Sequence, residues 1–177
     1  MTVKTFLLFL TVVFSISMAE AQTKEYVCTP CGSSCDHVIH TKPGSCPSCH
    51  MALVEKSGVQ FKNLSSEQFC KQITTQTILL DVRTPAEFNG EAAGASYGHF
   101  KNAININVEE LEKRMGELEK YKDFEILVYC SHSRRSPRAA MMLTEHGFKK
   151  VSNLSGGVST LTVKGSTCLE GNFIVHK

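Results

Sequence analysis

The chain has very little net charge: 19 basic residues against 17 acidic ones leave a formal +2 over 177 residues. So small a surplus creates no field for gathering nucleic acid or docking on an anionic membrane. No basic run interleaved with aromatics compensates for it, which sets nucleic acid aside as a partner. Internal repeats and low-complexity tracts are lacking as well, so neither a solenoid nor a disordered tether is in view. The apolar run from Phe6 to about Ile16 is too short to span a bilayer. The composition, 42% hydrophobic and 20% charged, is that of a globular protein, long enough for one domain with a small appendage.

The early apolar run follows Lys4 and leads into Ala19-Glu20-Ala21. A charged start, a short apolar stretch and an A-x-A site form the pattern of a cleavable export signal. Residues 1–21 are read as that signal, with the mature chain expected from near Gln22 and a periplasmic or secreted location in a bacterium. No cysteine follows the cleavage site, so no stable membrane anchor is expected after cleavage. Export would favour disulfides among the eight cysteines. Yet Cys28, Cys31, Cys35, Cys46 and Cys49 crowd one segment, while Cys70, Cys130 and Cys168 are dispersed. That clustering points to a local site rather than a framework stapling the whole chain.

Residues 22–58 read as a first module and its linker. Turn residues, cysteines and histidines fill it, but few large aliphatics, so a metal or a covalent cross-link must hold it. Cys28-x2-Cys31 and Cys46-x2-Cys49 are two knuckles about fourteen residues apart, a spacing suited to tetrahedral zinc. Cys28, Cys31, Cys46 and Cys49 are therefore the expected ligands of a structural zinc. Cys35, His37 and His40 stand as alternatives to Cys31, and a disulfide knot is the rival to zinc. The segment resembles the small heavy-metal-binding modules of bacterial metal-efflux proteins. Tyr26, Cys28, Cys31, Pro43-Gly44, Cys46, Pro47, Cys49, Met51 and Leu53 fall in register with that pattern. Cys31 replaces its usual histidine and His50 its usual glycine.

From Val59 the pattern becomes that of an α/β domain, 59–177. Ser65 or Ser66 is placed to cap a helix carrying Phe69 and Ile73. Residues 77–82 form a short apolar run closed by Thr84-Pro85, hence a buried strand. Ile104, Ile106 and Val108 alternate with asparagines, as in a strand with one dry face. Leu111, Met115 and Leu118 mark one helical stripe among charges that read as a solvated face. Residues 125–130 form the most apolar strand, followed by a helix opening on Ser136-Pro137 and closed by Gly147. A last strand, 149–154, precedes Gly156-Gly157 and a short helix through Leu161. Alternating strands and helices imply a parallel sheet with helices on both faces.

Cys130 ends the most apolar strand just before a helix begins, and in such sheets ligands bind at the carboxyl ends of strands. The unpaired N–H groups and dipole of a helix N-terminus favour an anion there, and Arg134 and Arg135 add positive charge. The turn is built for a charged sulfur. Around it the chain resembles the single-domain rhodaneses, over about 59–165. "LLDVRTPAEF" (79–88), "GHFKNAINI" (98–106), "VYCSHSRRSPRAA" (128–140) and "NLSGGV" (153–158) follow one another in the family's order.

The resemblance implies a rhodanese-like fold and sulfurtransferase activity without an organic cofactor. Cys130 would take sulfane sulfur as a persulfide from a small anionic donor such as thiosulfate, then pass it to a thiol or another thiophilic acceptor. Ser131, His132, Ser133 and Arg134 would form the cradle, ended by Arg135, with Asp81 and Arg83 organising the site from the neighbouring strand. Related phosphatases use Cys-x5-Arg, whereas Cys130 to Arg135 is Cys-x4-Arg, a smaller ring that suits sulfur better. A non-enzymatic metal- or persulfide-binding role on the same fold is the alternative.

Three departures stand out. Ser133 occupies a usual glycine position, which implies strain or a different loop path. The link "NGEAAGASYGHF" is longer than usual and is read as a mobile surface loop, with a cover over the site as the alternative. The family tryptophan after the double glycine is missing, with Leu161 in that region as core. His132 either faces the substrate or points to solvent, and His99 is expected to be structural. Cys70 is expected in the core, and Cys168 is a tail thiol that could resolve Cys130.

Overall fold

The computed structural model describes residues 23–93, 97–164 and 169–176; the expected export signal and Cys168 lie outside them. The amino-terminal module is a small antiparallel sheet of β1 (Tyr26–Cys28), β2 (Gly44–Ser45) and β3 (Ala52–Glu55), in the order β1-β3-β2. Its interior is sulfur rather than hydrocarbon. Cys28, Cys35 and Cys46 are buried, with Cys49, Met51 and Leu53 packed against them.

The larger part begins with β4 (Lys62–Leu64), α1 (Ser66–Gln72), β5 (Ile78–Asp81) and α2 (Pro85–Asn89). It continues through β6 (His99–Phe100), β7 (Ile104–Asn105), α3 (Val108–Arg114) and β8 (Ile126–Tyr129). It closes with α4 (Arg135–Glu145), β9 (Val151–Leu154), α5 (Val158–Lys164) and β10 (Phe173–Ile174). Five strands form one parallel sheet in the order β4-β9-β8-β5-β7, while β6 and β10 pair antiparallel beside it.

Two cores cover the two faces, as the alternation of strands and helices predicts. Ile126, Val128 and Cys130 point into one with Leu111, Leu143 and Phe148. Leu127 and Tyr129 point into the other with Phe69, Val158 and Leu161. The two-residue period of β8 makes that partition, since successive side chains leave a strand on opposite faces.

Local capping fixes the helix starts. Ser65 accepts the Gln68 N–H while the Gln68 side chain accepts the Ser65 N–H, and Thr84 and Glu87 repeat this box at α2. Gly147, at φ +86°, follows the α4 C-cap as expected. Three elements differ from the sequence reading. Only Ile104–Asn105 pairs as a strand, because Asn107 turns the chain by capping α3 through the Glu109 N–H. Ile106 and Val108 are nevertheless buried. The next helix tightens to 3-10 geometry over Met115–Tyr121, where Gly116 weakens the α form. Helix α4 starts at Arg135 rather than Ser136.

Candidate active site

Cys130 lies one residue beyond β8 and is 1% exposed. The first turn of α5 fastens its backbone: the Val158 N–H donates to the Cys130 carbonyl at 2.8 Å and the Ser159 N–H to the Ser131 carbonyl at 3.1 Å. Gly157, at φ +71°, lies so close that a Cβ there would meet the Ser131 carbonyl carbon at 2.4 Å. The Ser136 hydroxyl donates to Cys130 Sγ at 3.3 Å. Ser136 thus belongs to the site, although sequence reasoning read it only as a cap.

Arg135 is held on the loop by a residue that the sequence reading passed over. Its Nη1 and Nη2 each lie 2.6 Å from an oxygen of Glu87, and Nη2 also donates to Ser131 Oγ at 3.3 Å. Ser131 Oγ in turn donates to Glu87 at 3.2 Å. The Arg135 guanidinium holds the Glu87 carboxyl down at about 2, against the cost of its burial and with help from Thr84. The capping box of α2 thus aims the carboxylate that anchors the Cys130–Arg135 loop. The "PAEF" motif was the available signal, through its Glu87.

Asp81 and Arg83 form a buried fork beneath this layer, 0% and 1% exposed. Arg83 Nε reaches both Asp81 oxygens at 3.0 Å, and Nη2 donates to the Gly98 carbonyl at 2.7 Å. Tyr129 Oη accepts the Phe100 N–H at 3.3 Å, and burial pushes its phenol well above the ordinary range. The fork ties β5 to the start of β6. It fixes the end of β5 where Asp81 lies opposite Tyr129 of β8.

His99 stacks on Phe88 with ring centres 3.9 Å apart and contacts His176, and burial lowers its pKa. It is part of the packing. Exposed His132 meets Tyr97 Oη at 3.0 Å through Nε2. One end of the long 89–98 link therefore lies against the Cys130–Arg135 loop instead of standing away from it. Residues 94–96 lie outside the described residues.

Ser133 takes the left-handed conformation, φ +53°. Its hydroxyl donates to the Cys31 carbonyl and accepts from Asn153 Nδ2, both at 2.9 Å. The module is therefore packed on the Cys130–Arg135 loop. Gly32 abuts Ser155, and Arg134 Nη1 reaches toward the Cys49 carbonyl at 3.5 Å. A cleft of about 250 Å³ runs between the two parts, lined by Cys31, Ser33, Cys49, His132, Ser133 and Arg134 among others.

The sulfur cluster of the module is Cys28, Cys35, Cys46 and Cys49, whose Sγ atoms lie within 4.8 Å of one another. Cys35 stands where Cys31 was expected. The 3-10 turn Ser34–His37 swings Cys35 inward, while Asp36 accepts the N–H groups of Cys31 and Gly32 at 2.8 and 2.6 Å and turns Cys31 outward. His37 and His40 are not in the group either. Backbone N–H groups of Cys49 and Ser48 hold the Cys46 thiol down at about 7. Burial pushes Cys28 up and Cys35 up to about 11, with neighbouring thiols adding to it. A cation among these sulfurs would favour their thiolates. A zinc–sulfur bond of about 2.3 Å implies tetrahedral edges of about 3.8 Å, so the donor set fits a thiophilic divalent metal. All four are free thiols, so the structure holds no disulfide knot there. Cys70, expected in the core, packs against it and is disulfide-bonded.

Comparison with known proteins agrees with this geometry. A family model described as the rhodanese-like domain matches residues 61–162. A putative mitochondrial thiosulfate sulfurtransferase of Schizosaccharomyces pombe is 36% identical over 84 residues, 45% of this chain and 59% of that protein. The chain thus spans somewhat over half the length of that relative. A sulfurtransferase of Allochromatium vinosum is 30% identical over 97 residues, 54% of this chain and 82% of that one. Among solved structures, a rhodanese-related protein of Thermoplasma volcanium superposes with a TM-score of 0.51 at 26% identity. It covers 60% of this chain and 95% of its own.

Proposed function

Because the chain belongs to the rhodanese-like domain family, we propose that it is a sulfurtransferase working through a Cys130 persulfide. The observation that carries this is the short Cys130–Arg135 loop, closed over a buried cysteine and clamped by α5. A thiolate at Cys130 attacks the sulfane sulfur of an anionic donor such as thiosulfate. A bond to Cys130 Sγ forms, the donor's S–S bond breaks, and sulfite leaves with the electron pair. An incoming thiol then takes the outer sulfur and returns Cys130 as a thiolate. Ser136 Oγ–H and the N-terminus of α4 stabilise the sulfur anion at the start and end of this cycle. Arg135 is spent on Glu87, so the donor's charge meets the exposed Arg134 and His132 at the cleft instead.

We further propose that Cys28, Cys35, Cys46 and Cys49 hold a structural zinc, and that the protein works after export. Bonded Cys70 supports an oxidising compartment, and the pattern of residues 1–21 supports a cleaved signal.

Mass spectrometry after exposure to thiosulfate tests the central reading. The wild type should gain one persulfide sulfur that reductant removes, and Cys130→Ser should gain none at the catalytic loop. Lack of uptake by the wild type would leave a non-enzymatic binding role.

A further inference from the structure

Strand β9 carries an asparagine where its neighbours call for hydrocarbon. Val151, two residues earlier on the same face, and Val128, directly opposite on β8, both belong to the core that α4 covers. Asn153 lies between them and is fully buried. Its Nδ2 donates to Asn63 Oδ1 on β4 at 2.7 Å and to Ser133 Oγ at 2.9 Å. Its own Oδ1 is buried and has no hydrogen-bond partner among the described residues. A buried amide left half satisfied lowers stability, and an apolar residue of similar size would avoid that loss. The asparagine therefore needs a reason other than stability.

Ser133 supplies the reason. Its hydroxyl proton goes to the Cys31 carbonyl, so the second bond to Oγ has to come from a donor, and Asn153 Nδ2 provides it. Ser133 is thus held from two sides in a left-handed backbone, φ +53°, that serine seldom adopts unaided. The conformation matters for what it presents. None of the backbone N–H groups of Ser131, His132, Ser133 and Arg134 is bonded within the protein among the described residues. Successive free N–H groups around such a turn form a concavity for an anion.

We propose that Asn153 is a positioning residue for sulfur transfer: it fixes Ser133, and through it the row of N–H groups that receives the sulfur anion of Cys130. The proposal rests on the sulfurtransferase reading and adds to it a residue that acts on the loop rather than on the sulfur. Loading places negative charge on the outer sulfur of the persulfide, and prearranged N–H donors lower the cost of that charge. Should Ser133 leave the left-handed region, the row breaks at its centre. Glu87 on Arg135, and α5 on Cys130 and Ser131, still hold the ends of the loop.

The test measures single-turnover loading of the full chain from thiosulfate over a range of concentrations, beside urea unfolding. Asn153→Leu should unfold at the same urea concentration as the wild type or a higher one. It should load about tenfold more slowly at saturation, with the half-saturating thiosulfate concentration changed by no more than about twofold. Glycine takes a positive φ without any side-chain hold. In a Ser133→Gly background the same replacement should therefore slow loading by less than about twofold. Equal slowing in both backgrounds, or loading of Asn153→Leu at the wild-type rate, overturns the proposal and leaves the sulfurtransferase intact. No sulfur on Cys130 in the wild type overturns the sulfurtransferase reading and this one with it. If Asn153→Leu fails to fold, Asn153→Ala, which removes the amide without adding bulk, decides by the same two comparisons.

Discussion

Glu87 shows how one side chain links a helix cap to the Cys130–Arg135 loop. It closes the capping box of α2 and at the same time holds Arg135 by two 2.6 Å contacts. Its carboxyl is depressed to about 2, so its stabilising contribution is present above the unfolded carboxylate range. That contribution is lost as pH falls from the ordinary value of about 4.3 toward 2. Replacing Glu87 with Gln should cost about 1–3 kcal/mol at pH 7, since the pair is partly screened by solvent. Urea unfolding of both proteins across this range checks it: the difference should shrink as pH approaches 2 and vanish below it. A pH-independent difference would mean that Glu87 acts through packing alone. Ser133 teaches a different lesson. The sequence exposed the serine at a glycine position, and the structure shows the positive φ it foretold. What offsets the strain is a carbonyl at Cys31, 102 residues away, and no local pattern reveals such a partner.

At the scale of elements, legibility followed locality. The capping serine of α1, the buried strands β5 and β8, Gly147 after α4 and the two-sided core all follow from neighbouring residues, and all were readable. The strand-loop-helix arrangement around Cys130 was readable for the same reason, because its parts are consecutive in the chain. The start of α4 was not, since Arg135 enters the helix while α2 supplies its anchor. The fourth cluster ligand was hidden by a competing rule. Cys-x-x-Cys spacing favours Cys31, but the Asp36 carboxylate draws the Cys31 and Gly32 N–H groups and the 3-10 turn delivers Cys35. This choice makes a sharp prediction. Cys35→Ser should lose the bound metal and much of the module's stability, because hydrocarbon burial there is slight. Cys31→Ser should keep about one metal per chain. Metal analysis of both variants, with free thiols counted after denaturation, separates the two ligand sets; metal loss from Cys31→Ser alone would restore the knuckle reading.

At the scale of the molecule, the module and the α/β part are joined at two places of different character. Val54 of β3 and Val59 pack against the larger core, an apolar joint that does not involve the cluster. The arm between Cys28 and Cys35 forms the other joint, polar and centred on Ser133. Only this second joint depends on the sulfur cluster, because Cys28 and Cys35 fix the arm's ends. Removing the proposed metal should therefore loosen the arm without dissolving the sheet, whose two cores contain none of the cluster cysteines. Hydrogen exchange before and after chelation is the direct measurement. Amides of residues 131–134 and of the arm should exchange faster by about an order of magnitude, corresponding to about 1.4 kcal/mol of lost protection. Those of β5 and β8 should stay unchanged, because their ladder is buried between α-helices on both faces. Sulfur loading of Cys130 should slow in parallel, as Ser133 loses the carbonyl that holds its left-handed backbone in place. If chelation instead leaves residues 131–134 as protected as before, the metal serves the module alone. The Cys130–Arg135 loop would then keep its shape from Glu87, Gly157 and α5.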